Sequence, residues 1–345
     1  MKERRRSTLR NFSPKPLFVE RITKLLNKKE DLERYWEILK IEPVNSIRIN
    51  TLKSTPKEVI RKLEKYGWIL ESPWKENPEI LIVLGKKPTK KEGEILINEN
   101  LAKLGPGELG RALEHLLGYY YIQELSSMLP IIALNLEEEE NYLDLCASPG
   151  SKTTQAGARM KNTGNIIANE VSMGRMRILA SNLERCGVTN TIITKKDGRD
   201  ICRKFNEKEM EFDKILVDAP CSGEGTLRSS PKTYVMWNIK SVKSLSKLQK
   251  QLLKNAFLSL KKGGEIIYST CTHAPEENEE IVDYILKEFK EEIEIIDFKL
   301  PVKTRPGITE WEEKKFDERV KLAKRVYPQD NNTEGFFLSK FRRVK

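Results

Sequence analysis

From residue 141 onward, short apolar runs and longer amphipathic stretches take turns along the chain. "NYLDL", "NIIANE", "NTIITK", "FDKILVDAP" and "GGEIIYST" alternate with helical segments such as "SMGRMRILASNLERCG" and "SLSKLQKQLLKNAFLSLKKGG". Near-continuous apolar runs suit strands covered on both faces, and parallel strands need helical crossovers to join them. Strict alternation therefore predicts a parallel, doubly wound α/β sheet whose ligands gather at the C-terminal strand ends.

Upstream the rhythm is different. Residues 17–40 carry apolar side chains at helical spacing. "NSIRINTLK" then alternates as a strand, with Ile47 and Ile49 on one face and Arg48 and Asn50 on the other. In "TPKEVIRKLEKYGW", Thr55 can cap a helix, Pro56 suits its first turn and Gly67 ends it. "WILES" and "EILIVLG" read as further strands. This β-α-β-β order predicts a smaller α+β, RRM-like module over residues 1–104, its sheet offering Arg48 and Lys53 to a phosphate backbone. "GPGELGRALEHLLG" reads as a hinge and helix leading into a larger domain over 105–345.

Charge supports that division. Residues 1–104 hold 24 Lys and Arg against 15 Asp and Glu, whereas the remainder holds 38 against 36. A basic first third points to a polyanion, and nucleic acid is the expected partner. No apolar run is long enough to span a bilayer, and "MKERRRSTLR" lacks the apolar stretch of a secretory signal. The expectation is a soluble, cytoplasmic monomer with no membrane partner. Five cysteines without a C-x-x-C pair, beside two histidines, predict neither a metal site nor a disulfide framework. Cys146, Cys186 and Cys202 read as packing residues, and Tyr119–Tyr121 as part of a core.

"LDLCASPGSKTTQ" passes from a strand through a Pro149-Gly150 turn into a helix, without a dinucleotide or P-loop spacing. Asp144 stands at that strand end, Glu170 at the next and Asp197 after the third. A carboxylate at the second position can accept both hydroxyls of a ribose. Acidic groups at three successive strand ends favour an adenosine-containing cofactor.

Two further strand ends carry cysteines, Cys221 in "DAPCSGEGT" and Cys271 in "YSTCT". Paired thiols beside Asp218 suit chemistry at carbon 5 of a pyrimidine, a poor nucleophile until a thiolate adds to carbon 6. A carboxyl group bonded to N3 and the exocyclic amine of cytosine would stabilise such an adduct, and a second thiol could assist its breakdown. Residue type alone favours Cys221, after its proline, as the attacking group.

Taken in order, "LDLCASPGSKTTQ", "DAPCSGEGT" and "YSTCT" resemble the cofactor loop, the P-C motif and the T-C motif of RNA cytosine-5 methyltransferases of the NOL1/NOP2/Sun (RsmB/Trm4-like) family. "NSIRINTLK", "GYYYIQELSSMLP" and "RVYPQDNNTEGFFLSKFRR" are similar to its flanking segments. The resemblance implies a Rossmann-like class I methyltransferase domain, an RNA substrate and S-adenosylmethionine as cofactor. It implies that Cys271 is the nucleophile, that Cys221 assists release, and that Asp218 orients the cytosine with Lys152 nearby. Cys146, Ala147, Ser148, Pro149, Gly150, Ser151 and Lys152, with Glu170, Arg175, Asp197 and Asp218, would hold the cofactor. His273 is not required by that chemistry. The loop reads A-S-P-G-S-K where the family often has A-A-P-G-G-K, and "GSKTTQ" leans toward the branch acting on transfer RNA, with ribosomal RNA next. The alternative is a non-catalytic RNA-binding or ribosome-assembly factor that keeps the fold.

Overall fold

The computed structural model describes residues 13–89 and 94–345, so the basic stretch at the start of the chain lies outside the described residues. The chain divides into two compact units: Val44–Asp197, and Gly198–Lys345 together with the residues before Val44. The helical segment expected over 17–40 is two helices, α1 (Pro16–Leu25) and α2 (Lys29–Ile38). Phe18, Ile22, Leu26 and Tyr35 pack with Leu227, Trp237, Val242, Ala274 and Tyr327. Burying side chains of this size contributes about 1.5–3 kcal/mol each. Arg21 adds a two-pronged pair, donating to both carboxylate oxygens of Glu276 at 3.0 and 2.6 Å. Residues 1–104 are thus shared between the two units.

In the unit Val44–Asp197 an antiparallel sheet forms from β1 (Asn45–Ile49), β2 (Trp68–Glu71), β3 (Ile80–Lys86), β4 (Leu96–Asn98), β5 (Leu101–Ala102) and β6 (Tyr120–Ile122). Its order is β4-β5-β3-β1-β6, with β2 paired to β3. The last strand comes from beyond Leu104, with Ile122 opposite Ile47. Helix α3 (Pro56–Glu64) begins as the sequence predicts: Thr55 and Glu58 close a reciprocal capping box and Pro56 occupies the first turn. Its Val59 and Leu63 pack on Ile47, Ile49 and Tyr120.

The opposite face of β1 is not free for phosphate. Arg48 is 2% exposed. Its guanidinium donates to Gln123 Oε1 at 3.0 Å and Thr154 Oγ1 at 2.8 Å. Burial pulls its pKa down to about 10. Lys53 is exposed, but its amine donates to the carbonyls of Leu117 and Arg185. The expectation that this sheet offers Arg48 and Lys53 to a nucleic-acid backbone is therefore corrected. Segments that arrive later in the chain cover Arg48, and Lys53 lies beyond the end of the strand.

After β6 come α4 (Leu125–Leu134), β7 (Asn141–Asp144), α5 (Ser151–Arg159), β8 (Asn165–Asn169), α6 (Met173–Cys186) and β9 (Thr191–Thr194). Strands β7, β8 and β9 are parallel and in register, Asp144 opposite Ala168 and Asn169 opposite Thr194. Ala147, Ala168, Leu179 and Leu183 form the apolar support behind the β7 turn.

The second unit continues the alternation with α7 (Gly198–Glu207), β10 (Phe212–Asp218), α8 (Ile239–Leu258), β11 (Leu260–Thr270), α9 (Glu279–Glu288) and β12 (Ile293–Ile296). It closes with β13 (Arg305–Pro306), the small pair β14 (Glu310–Trp311) and β15 (Lys314–Lys315), β16 (Lys324–Val326) and β17 (Phe336–Arg343). Strands β10 and β11 are parallel, while β17 runs antiparallel between β11 and β12 along much of its length. Asn238 caps α8 by accepting from the Ser241 amide. No helix among the described residues is long and apolar enough to cross a membrane.

Candidate active site

Parallel strands in register end at the same level of a sheet, which is how two cysteines fifty residues apart meet. Asp218, the last residue of β10, lies opposite Ser269 of β11 and accepts its hydroxyl at 2.8 Å. Three residues past Asp218, the Cys221 Sγ stands 3.0 Å from the Sγ of Cys271. Both thiols are free and partly exposed. A second tie joins the same two turns, Ser222 Oγ to Thr272 Oγ1 at 2.7 Å. Backbones also touch here: the Gly225 amide donates to the Cys271 carbonyl at 2.9 Å, and a Cβ on Gly225 would stand 2.4 Å from the Gly335 oxygen.

The hydrogen bond to Cys271, then burial, pushes the Cys221 thiol well above the ordinary range. Cys221 therefore keeps its proton at neutral pH and can offer it to the neighbouring sulfur. Around the Cys221 turn stands a bracket that sequence reasoning missed. Glu277, wholly buried, accepts from the Ser222 amide at 3.0 Å. Gln249 of α8 donates to that same carboxylate oxygen and to the Pro220 carbonyl, each at 2.8 Å. Burial raises the Glu277 carboxyl to about 7, against the hydrogen bonds from Ser222 and Gln249. Nothing in residue type separates Glu277 from its acidic neighbours in "PEENE"; only its burial does.

His273 is a core residue. Its ring is 2% exposed, stacks on Tyr327 with centroids 5.0 Å apart, and meets Tyr35 edge-on. Burial drives its pKa down to about 3, so it stays neutral. Tyr120 and Tyr121 are likewise buried, and Cys202 is buried with its thiol pushed up to about 12.

In the other unit, the turn after β7 is held by backbone and hydroxyl groups together with Asp144 and Arg175. Asp144 is buried and accepts the Thr153 hydroxyl at 2.8 Å, fixing the strand end to α5. The Ala147 amide donates to Asn169 O, and Asn182 donates to Pro149 O at 2.8 Å. Ser148 and Arg175 exchange bonds, Ser148 Oγ to the Arg175 carbonyl and Arg175 Nη2 to the Ser148 carbonyl. The Ser148–Pro149 peptide is cis. Gly150 has φ +99°, and a Cβ there would stand 2.9 Å from the Leu179 methyl, so the turn requires glycine. Cys146 is a half-buried thiol. Lys152 is largely buried and donates to Ser127 Oγ at 3.0 Å.

Glu170 follows β8, 3% exposed, accepts the Ser172 amide at 2.8 Å, and lies 3.5 Å from Arg175 Nε. Asp197 follows Lys196, whose carbonyl accepts from Asn169 at 3.1 Å. A glycine-floored turn with carboxylates after the next two strands fits a nucleoside. Among the described residues, no three His, Cys, Asp or Glu side chains gather as a metal site.

Alternating strands and helices with this turn describe the class of S-adenosylmethionine-dependent methyltransferases. Residues 131–342 match the family model described as 16S rRNA methyltransferase RsmB/F. The chain is 40% identical, over 95% of its length and 96% of the relative's, to the tRNA (cytosine(49)-C(5))-methyltransferase of Pyrococcus abyssi. It is 39% identical to the ribosomal RNA small subunit methyltransferase F of Pectobacterium carotovorum, over 87% of this chain but 56% of that one. Among solved structures, a methyltransferase homolog from Pyrococcus horikoshii superposes with a TM-score of 0.78 at 31% identity, covering 98% of both chains. NSun6 from the same organism, solved with SFG, gives 0.77 at 25% identity over 95% of this chain and 97% of that one. The chain belongs to the RsmB/F family of RNA methyltransferases, with its Rossmann-like fold. It is an S-adenosylmethionine-dependent RNA cytosine-5 methyltransferase.

Proposed function

We propose that the protein methylates carbon 5 of a cytosine in transfer RNA through a covalent bond between Cys271 and carbon 6 of the base. The observation that carries this reading is the 3.0 Å sulfur pair in which Cys221 retains its proton. Cys271 adds to carbon 6 and turns carbon 5 into an enamine nucleophile. Asp218, fixed by Ser269, bonds N3 and the exocyclic amine of the base and stabilises the adduct. S-adenosylmethionine, when bound, supplies an electrophilic methyl group. Cys146–Lys152, Glu170, Arg175 and Asp197 hold and orient it, Glu170 taking the ribose hydroxyls. Cys221 serves the last stage, in which the carbon 5 proton leaves and the Cys271 bond breaks.

The choice of transfer RNA is supported by the relative matched end to end, which is named for cytosine 49 of tRNA. The target base has to leave its stack for a sulfur to approach its face. Phosphate attraction comes from exposed cations in the basic part of the chain, such as Lys57, Arg61 and Lys65, and reads shape more than sequence. The test uses RNA containing 5-azacytidine, which traps the thioether. Wild-type protein should give an RNA adduct on denaturing gels, Cys271→Ala none, and Cys221→Ala an adduct that accumulates even on unmodified RNA. An adduct from Cys271→Ala but not from Cys221→Ala would reverse the roles. Bisulfite sequencing of RNA from a deletion strain identifies the substrate, and loss of methylation in ribosomal RNA alone would overturn the transfer RNA assignment.

A further inference from the structure

The chemistry above leaves unused a buried acid that touches the Cys221 turn. Glu277 brackets the turn that carries Cys221, holding the Ser222 amide with one carboxylate oxygen, to which Gln249 also donates. Its other oxygen is buried without a hydrogen-bond partner. Among the described residues no cation pairs with it. A carboxylate held only for structure would be expected to satisfy both oxygens or to meet an arginine. Glu277 does neither, and its carboxylate, bonded to the amide of the residue after Cys221, helps to keep that thiol protonated in the resting site.

We infer that Glu277 is the positioning residue and proton acceptor for Cys221, working through that thiol during product release. The inference rests on the covalent reading above. Once Cys271 is bonded to carbon 6 and no longer pairs with Cys221, the free Glu277 oxygen takes the Cys221 proton and leaves a thiolate. That sulfur accepts the proton on carbon 5 of the methylated base. The carbon–hydrogen electron pair becomes the carbon 5–carbon 6 double bond, and the carbon 6–sulfur bond breaks with its pair returning to Cys271. Cys221 is then a thiol again, and Glu277 passes its proton to water, so one proton is released per methyl transferred. A carboxyl that titrates at about 7 can both accept and lose a proton near neutrality. The ionisable groups that bear on this pair are Cys271 at Cys221 and Glu224 at Glu277; Gln249 and Ser222 are neutral, and Tyr268 meets only the Glu277 backbone carbonyl.

The test follows adduct formation and release separately, in single turnovers of full-length protein with S-adenosylmethionine and a tRNA transcript. In Glu277→Gln, which keeps an acceptor for Ser222 and Gln249, the adduct should form within about twofold of the wild-type rate and break down at least about tenfold more slowly. The wild-type release rate should rise with pH through about 7 and level off; Glu277→Gln should lack that rise and Glu277→Asp restore part of it. Gln249→Leu loosens the turn but leaves the acid, so it should keep the rise. Release by Glu277→Gln at the wild-type rate with the same pH profile would overturn the inference. So would loss of the pH rise in Gln249→Leu, which would reduce Glu277 to a brace. Methylation by the wild type with no adduct at any pH would instead overturn the covalent reading itself.

Discussion

Two turns leave the ends of parallel strands in this protein, one after β7 and one after β10, and each carries a proline followed by small residues. They are braced in opposite ways. The β7 turn is tied by amides, a hydroxyl and carbonyls, with Arg175 reaching a backbone oxygen and Gly150 closing on Leu179. The β10 turn is tied by Glu277, a buried acid whose carboxylate is held, among the described residues, by the neutral Ser222 and Gln249. Two residues further on, Glu279 is equally buried but meets Arg325 through both its oxygens. Placing a carboxylate in a low-dielectric site without a cation costs several kcal/mol. At the β7 turn the backbone is held by hydroxyl, amide and guanidinium donors, and no carboxylate grips its amides among the bonds named above. The acid at the β10 turn is explained by proton traffic at Cys221.

The largest effect that separates the two turns is expected from Asp218→Ala. Removing the carboxyl proposed to grip the base should lower kcat by about 10²–10⁴-fold, and S-adenosylmethionine affinity, measured by calorimetry, by only a few-fold, because Asp218 is one of several groups expected around the cofactor. An equal loss of cofactor affinity would erase the division of labour. Next comes the acid itself. The unfolded chain releases the Glu277 proton near 4.5, whereas the folded chain holds it to about 7. Stability from this group is therefore complete below 4.5 and is lost as pH rises through 7, a span of about 3 kcal/mol. Glu277→Gln should remove that component, so chemical denaturation at pH 5 and pH 8 should favour the variant more at the higher pH. A difference independent of pH would mean that Glu277 titrates normally. Gly150→Ala follows on the β7 turn. Its backbone lies where side chains are strained and its Cβ has no room, so about 1–3 kcal/mol of stability and roughly tenfold in cofactor affinity should go, with the adduct chemistry at the thiols unchanged.

What the sequence disclosed follows the range of the interactions involved. The thiols and Asp218 were legible because apolar runs mark strand ends, and parallel strands bring those ends to one edge. The Thr55 cap and the turn at Pro149-Gly150 were legible because they are local, whereas the Glu58 half of the capping box was not read. Arg48 was misread because alternation along β1 cannot say which face a later segment will cover, and Thr154 lies over a hundred positions away. Glu277 escaped because "PEENE" looks like a solvated helix start, while the groups that bury it come from 55 and 28 positions earlier. The split of residues 17–40 from the sheet that follows depends on Leu227 and Tyr327, equally remote.

Arg48 gives the smallest expected effect and the sharpest check on how the β7 turn is supported. Its guanidinium reaches the Ser151 carbonyl and the Thr154 hydroxyl in the first turn of α5, and Gln123 on the other side. A fork of fixed geometry spans these three acceptors, whereas a lysine ammonium on a flexible stem cannot reach all of them. Arg48→Lys should therefore lower stability by about 1–2 kcal/mol and weaken S-adenosylmethionine binding by a few-fold, with adduct breakdown at the thiols untouched. Because the side chain is buried, it neutralises no RNA phosphate, so removing its charge in Arg48→Gln should leave the slope of log binding constant against log salt unchanged. A phosphate contact at this position would flatten that slope by close to one. A flatter slope with wild-type stability would put Arg48 back on the RNA and leave the β7 turn held by its own amides alone.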